Sequence, residues 1–300
     1  MRCPKSRLFF CGFISLFFFA GCQKTHNPLT VGENFPTYQD DLGRQVKVTP
    51  APQRIISLAP NITETLFALG LGERVIGVTT YCDFPAEAKT KEKIGDTIKP
   101  NLERIIALKP DLVLLSTSSQ LEKITHQLDQ LAIPVYITNP RTVTEVISSI
   151  RKLGAVTGAS GRAEELASSM QQRITSIKPT DQHPRVLYVL QLSPLITAGK
   201  NTFINDLINL AGGTSISGAE TTDYPQFSRE TVIARAPEVI ILPESHGSEI
   251  VNLEAVKQAF STTPAVKNNR IVTINPDLID RPGPRIVEGL AELGKKIHGK

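Results

Sequence analysis

Four ionisable residues fall within nine positions near the carboxyl end, Asp277, Asp280, Arg281 and Arg285, with Pro282, Gly283 and Pro284 among them. Carboxylates and guanidinium groups set on rigid prolines can orient a polar ligand at a rim, or they can close on one another as an ion-pair cluster. In an enzyme, Asp83, Asp277 and Asp280 would be the candidate acids or bases, which requires them within hydrogen-bonding reach of a reacting group. Two further segments place an aromatic ring next to a carboxylate, Tyr81-Cys82-Asp83-Phe84-Pro85 and Asp223-Tyr224-Pro225-Gln226-Phe227. A tyrosine there can stack on a flat ligand, or it can simply pack at an edge with its hydroxyl in water. Other chemistry is poorly supplied. The five histidines (His26, His126, His183, His246, His298) show no ligand spacing, so no metal site is expected. No Gly-x-Ser-x-Gly elbow occurs. Gly70-Leu71-Gly72 ends a helical pattern instead of opening one, which makes it a helix stop and not a nucleotide loop.

The elements that must position these groups are announced by an internal repeat. Residues 103–115 (Glu-Arg-Ile-Ile-Ala-Leu-Lys-Pro-Asp-Leu-Val-Leu-Leu) recur without a gap at 230–242 (Glu-Thr-Val-Ile-Ala-Arg-Ala-Pro-Glu-Val-Ile-Ile-Leu). In each copy a Glu opens a short amphipathic helix, a Pro stops it, and an apolar run reads as a buried parallel strand. Glu103 and Glu230 are therefore expected at equivalent surface positions, one per lobe. Such a pair complements two helix dipoles, or offers a two-point contact to a partner that is itself two-fold symmetric.

Around the repeat, strands are expected at 54–59, 74–80, 112–116 and 135–139, with helices near 62–70, 101–108, 120–131 and 143–153. The second half has strands at 185–192, 238–243 and 270–274, with helices near 202–211, 228–235, 252–260 and 284–297. This alternation indicates an α/β fold of two similar lobes with parallel sheets. A helix over 163–177, with Ser160 as cap and Lys178-Pro179 as stop, joins them. The ligand cleft then lies between the lobes, beside the carboxyl ends of the strands.

At the amino terminus Arg2, Lys5 and Arg7 precede an apolar run from Leu8 to Ala20, too short for a bilayer of about 30 Å. That is the pattern of a signal peptide. Phe19-Ala20-Gly21-Cys22 resembles a bacterial lipobox, which implies cleavage before Cys22 and lipidation of its thiol; Gln23 at the next position favours the outer membrane. With Cys3 and Cys11 removed and Cys22 acylated, Cys82 stands alone and no internal disulfide is expected. Loss of the leader takes the formal charge from +4 to +1, which argues against a nucleic-acid partner. The expected division is a leader at 1–21, a polar tether at 22–50, an N-terminal lobe at 51–158, a linking helix at 159–179 and a C-terminal lobe at 180–300.

From Arg54 to His298 the chain resembles the single-helix-linked substrate-binding lipoproteins of ABC importers for cobalamin and iron chelates. The likeness rests on Arg54-Ile-Ile-Ser-Leu-Ala-Pro-Asn-Ile-Thr-Glu64, Tyr81-Cys-Asp-Phe-Pro85, Asn101-Leu-Glu-Arg-Ile-Ile-Ala-Leu-Lys-Pro-Asp-Leu112, Pro225-Gln-Phe-Ser-Arg-Glu230 and Arg281-Pro-Gly-Pro-Arg285. Tyr-Cys-Asp-Phe-Pro is most similar to the cobalamin-binding branch. The resemblance implies a lipid-anchored, periplasmic, monomeric protein without a cofactor and without catalysis, which passes a corrinoid to a membrane permease. It implies that Tyr81, Asp83, Tyr224, Asp277 and Arg281 meet the ligand and that Glu103 and Glu230 meet permease arginines. One departure stands out: the chain has no Trp, and Thr97 and Ser116 fall where the cobalamin binders carry rings. Haem or a ferric siderophore is the alternative cargo. A two-lobed enzyme, or a lipid-anchored chaperone or structural protein without a cleft, are the alternatives of other classes.

Overall fold

A computed structural model of the chain describes residues 35–116, 121–177, 181–244 and 252–299. The expected leader, Cys22 and the Lys178-Pro179 stop lie outside the described residues. Part of the segment expected as tether is folded: Thr37–Gln39 (β1) pairs antiparallel with Gln45–Lys47 (β2). Its polar composition hides two anchors, Val46 and Val48, which are buried. Asp40 closes the turn by accepting the Leu42 and Arg44 backbone N–H groups at 3.0 and 2.9 Å.

The first lobe is built on β3 (Ile55–Ser57), β4 (Val75–Val78), β5 (Glu92–Lys93), β6 (Leu112–Ser116) and β7 (Val135–Thr138). They form one parallel sheet in the order β5-β4-β3-β6-β7. Its helices are α1 (Pro60–Ala68), α2 (Leu102–Ala107), α3 (Leu121–Gln130) and α4 (Val143–Thr157). Gly70, at φ +71°, follows the end of α1, as expected of a helix stop. Helix α4 runs four residues beyond its expected end, straight through Gly154. That glycine permits a close crossing, because a Cβ there would lie 2.2 Å from the Ala163 Cβ on the next helix.

That next helix, α5 (Ser160–Thr175), leads to the second lobe. Ser160 is not its cap: the N-cap is Ala159, and no side chain caps the helix. The second lobe has β8 (Arg185–Tyr188), β9 (Gln191–Leu192), β10 (Leu195–Ile196), β11 (Thr214–Ser215), β12 (Val239–Pro243) and β13 (Ile271–Ile274). Strands β11-β8-β12-β13 make a parallel sheet, and β9 and β10 form a separate antiparallel pair across Ser193-Pro194. The expected strand over 185–192 is thus two strands, interrupted after Tyr188. Helices α6 (Phe203–Leu210), α7 (Arg229–Arg235), α8 (Leu253–Ala259), α9 (Pro264–Lys267), α10 (Pro276–Ile279) and α11 (Ile286–His298) complete it.

The repeat is preserved down to the backbone. Helices α2 and α7 lead to β6 and β12 through Lys109 and Ala236, both left-handed at φ 47° and 46°, each directly before a proline. In the first lobe Asp111 accepts the Arg54 N–H at 2.9 Å, and Arg54 Nε donates to the Lys109 carbonyl at 3.0 Å. In the second, Glu238 accepts the Arg185 N–H at 2.9 Å, and Arg185 Nε donates to the Ala236 carbonyl at 2.9 Å. Each arginine satisfies the carbonyl exposed by the left-handed turn and, through its strand, ties the turn to the sheet. One apolar core runs through both lobes, from Leu66 and Tyr136 across Ala163, Ala167 and Met170 of α5 to Tyr188, Ile208 and Leu290.

Candidate functional site

The carboxyl ends of both sheets open on a cavity of about 640 Å³ between the lobes. Ser116, Asn139 and Arg141 line it from the ends of β6 and β7. Leu190, Asp223, Tyr224 and Asp280 line it from the second lobe. The hairpin holds the β7 side in place: Asp41 Oδ2 accepts the Asn139 N–H at 2.8 Å, the Asp41 N–H donates to the Ile137 carbonyl at 3.1 Å, and Arg44 Nη2 donates to the Val135 carbonyl at 2.8 Å. The outer edge of β7 is thereby covered.

Among the described residues, two ionic contacts tie the lobes. One is centred on Glu64 of α1, whose side chain is only 2% exposed. It accepts Arg285 at both oxygens, Nε at 2.8 Å and Nη2 at 2.7 Å, and Arg281 Nη1 at 3.3 Å. Arg281 also donates to Asp83 at 2.7 Å and pairs with Asp277 at 2.8 Å. Phe84 lies under the Arg285 guanidinium, 4.1 Å from its ring centre. Asn61 Nδ2 adds a 3.3 Å bond to the Pro282 carbonyl. Burial alone would push the Asp83 carboxyl up, but the hydrogen bond and charge of Arg281 hold it below the usual carboxylate range. Arg281 is raised, its own burial being outweighed by Asp83, Asp277 and Glu64. The second contact is a single pair, Arg141 Nη1 to Asp223 Oδ2 at 2.9 Å, with the two side chains 49% and 39% exposed.

Of the residues expected to meet a ligand, Asp83, Asp277 and Arg281 are brought together, as the ion-pair cluster. Tyr224 lines the cavity and is 59% exposed. Tyr81 is 55% exposed but is not among the residues lining that cavity. Sequence reasoning quoted Glu64 without giving it a role, and it missed Arg141 and the buried Tyr188, whose hydroxyl donates to Asp280 at 3.2 Å. Burial first, and then the Asp280 carboxylate, raises Tyr188 well above the usual phenol range. Among these, only Glu64 carried a signal, as a carboxylate inside an apolar helical pattern.

Glu103 and Glu230 occupy the same place, the second residue of α2 and of α7, and both are exposed. Asn101 and Ser228 cap the two helices, accepting the N–H groups of Arg104 and Thr231 at 3.0 and 3.2 Å. The own backbone N–H of Glu230, then the Ser228 hydroxyl, hold its carboxyl below the usual range.

Two parallel-sheet lobes, one connecting helix and a cleft at the strand ends define a two-lobed solute-binding protein. The chain belongs to the periplasmic binding protein family, whose model matches residues 55–278. It is 34% identical over 295 residues to the ABC transporter substrate-binding lipoprotein YvrC of Bacillus subtilis, covering 93% of this chain and 92% of that one. It is 34% identical over 254 residues to the vitamin B12-binding protein of Pectobacterium atrosepticum, covering 82% of this chain and 88% of the relative. The periplasmic haem-binding protein RhuT of Roseiflexus sp. RS-1 superposes with a TM-score of 0.75 at 26% identity, over 82% of this chain and 98% of that one. The protein is thus an extracytoplasmic substrate-binding protein of ABC transport, and its family transports solutes and is not enzymatic. No helix among the described residues is long and apolar enough to cross a membrane.

Proposed function

We propose that the protein captures a corrinoid, cobalamin or a close relative, in the cleft between lobes 51–158 and 180–300 and delivers it to an ABC permease. The observation that carries this is the inter-lobe cavity, whose lining includes Tyr224, Leu190 and Pro282, an aromatic and apolar surface that suits a flat chelate. The vitamin B12-binding relatives support the corrinoid as cargo. Haem-binding neighbours support haem as the second candidate. Tyr224 stacks on the ligand, and Tyr81, Asp277 and Arg281 stand at its rim, with Arg281 fixed by Asp83 and Asp277. Glu103 and Glu230 dock on the permease, and a lipid on Cys22 keeps the protein at the membrane, with residues 23–34 as tether.

An absorbance titration of residues 23–300 with cyanocobalamin, haemin and a ferric siderophore tests the cargo. Saturable one-to-one binding of the corrinoid is expected; binding of haemin or the siderophore alone would replace it. The doubly reversed Glu103→Arg, Glu230→Arg protein should bind ligand as before and fail to support uptake. Normal uptake would remove the docking assignment.

A further inference from the structure

The inter-lobe cavity has a neighbour of different character. A groove of about 560 Å³ lies at the amino-terminal ends of α4 and α6 and shares Arg141, Asn201 and Thr202 with the cavity. The two linings divide by chemistry. Leu190, Phe203, Ile204, Tyr224 and Ile279 give the cavity apolar and aromatic walls. Among the described residues lining the groove, all but Gly218 are polar or charged. A flat ring suits the first space and a hydrogen-bonding group the second.

The groove is built from fixed parts. Thr142 and Thr202 cap the two helices, accepting the Glu145 and Asn205 N–H groups at 3.1 and 3.3 Å. Asp206 reaches from α6 to α4 and accepts the Val143 N–H at 2.7 Å, while Glu145 accepts that of Arg141 at 2.6 Å. Two groups of the lining are available to a ligand. Lys200 is exposed. Asn205 is 6% exposed and donates to the Lys200 carbonyl at 3.1 Å, but its Oδ1 has no partner among the described residues. A buried acceptor without a donor carries a cost that a ligand N–H or O–H removes. Where the two spaces meet, Arg141 spans to Asp223 at 2.9 Å and to the Asn201 carbonyl at 3.3 Å. The Arg141–Asp223 pair is exposed and therefore weak, so a ligand lying across the junction displaces it at little cost.

We propose that the groove is a second subsite of the cleft, taking a sugar-phosphate substituent carried on the edge of a flat chelate, an inference that rests on the corrinoid reading of the cavity. The ring lies in the cavity, the Lys200 ammonium meets the phosphate, and Asn205 Oδ1 accepts from a sugar hydroxyl. The protein thus reads both ends of one ligand. The second end separates ligands that share a ring, because a chelate without the substituent leaves the groove and its acceptor unused.

Two corrinoids with one ring decide it: cyanocobalamin, which carries a nucleotide on its edge, and dicyanocobinamide, which lacks it. On the full mature chain, cyanocobalamin should bind at least tenfold more tightly. Lys200→Glu should cut that preference at least threefold, and the effect should shrink at high salt. Asn209→Trp, at an exposed position of the groove lining, should cut it at least tenfold by filling the space. Both variants should hold dicyanocobinamide as the wild type does, which reports that they are folded with the cavity intact. Equal wild-type affinity for the two corrinoids would overturn the proposal, as would a preference unmoved in both variants. If neither corrinoid bound the wild type, the corrinoid reading of the cleft would fall instead, and this inference with it.

Discussion

Glu64 has almost no contact with water and receives three hydrogen bonds from two arginines of the other lobe. Removing the carboxylate takes the Glu64 pair from Arg285, while Arg281 keeps Asp83 and Asp277, a loss of about 3–5 kcal/mol for a broken buried pair. Glu64→Ala should lower stability by that amount in urea unfolding, whereas Asp223→Ala, which breaks the exposed pair, should cost less than about 1 kcal/mol. The first figure falling to the second would show the cluster to be solvated. Asp83 gives the pH dependence. Its folded value is depressed, so its contribution is complete above the ordinary carboxylate range and is lost as pH falls through the lowered value. Thermal melts from about pH 7 to about pH 3 should therefore show an acid-side loss that Asp83→Asn diminishes. Asp277, Arg281 and Arg285 were legible in sequence as either a ligand rim or an ion-pair cluster. The choice between the two lay with Glu64, more than two hundred residues away, and no local pattern carries a partner across that distance.

At the scale of elements, the twice-used helix, turn and strand was fully legible, because its proline, its apolar run and its opening Glu all act locally. Helix α4 was misjudged for a local reason too. Gly154 weakens a helix by about 0.5–1 kcal/mol relative to Ala, and it reads as an end until the partner helix is seen. The crossing with α5 reverses that preference: Gly154→Ala should destabilise by about 1–3 kcal/mol through overpacking against Ala163, measured as a shift in unfolding midpoint. An unchanged midpoint would mean that the two helices separate freely. The β1–β2 hairpin was missed because its anchoring is two valines in a polar segment, and its real partner is the distant edge of β7.

For the molecule as a whole, the core that continues through α5 makes the lobes one folding unit, despite their repeated design. Tyr136 reports on the first lobe and Tyr188 on the second, and the chain has no Trp to overlie them. Urea unfolding followed by tyrosine fluorescence and by far-ultraviolet circular dichroism should give one coincident transition. Two separated midpoints would show that the helix couples the lobes weakly. The hairpin has a consequence of another kind. Its strap on β7 satisfies the carbonyls of Val135 and Ile137 and the N–H of Asn139, which would otherwise be an open row of strand donors and acceptors. Trimming the chain past residue 48, as a tether reading would invite, uncovers that row and gives neighbouring molecules a template for strand exchange. The usable amino-terminal boundary for recombinant protein is thus at residue 35 or earlier, and a shorter form should precipitate while its cleft is still intact.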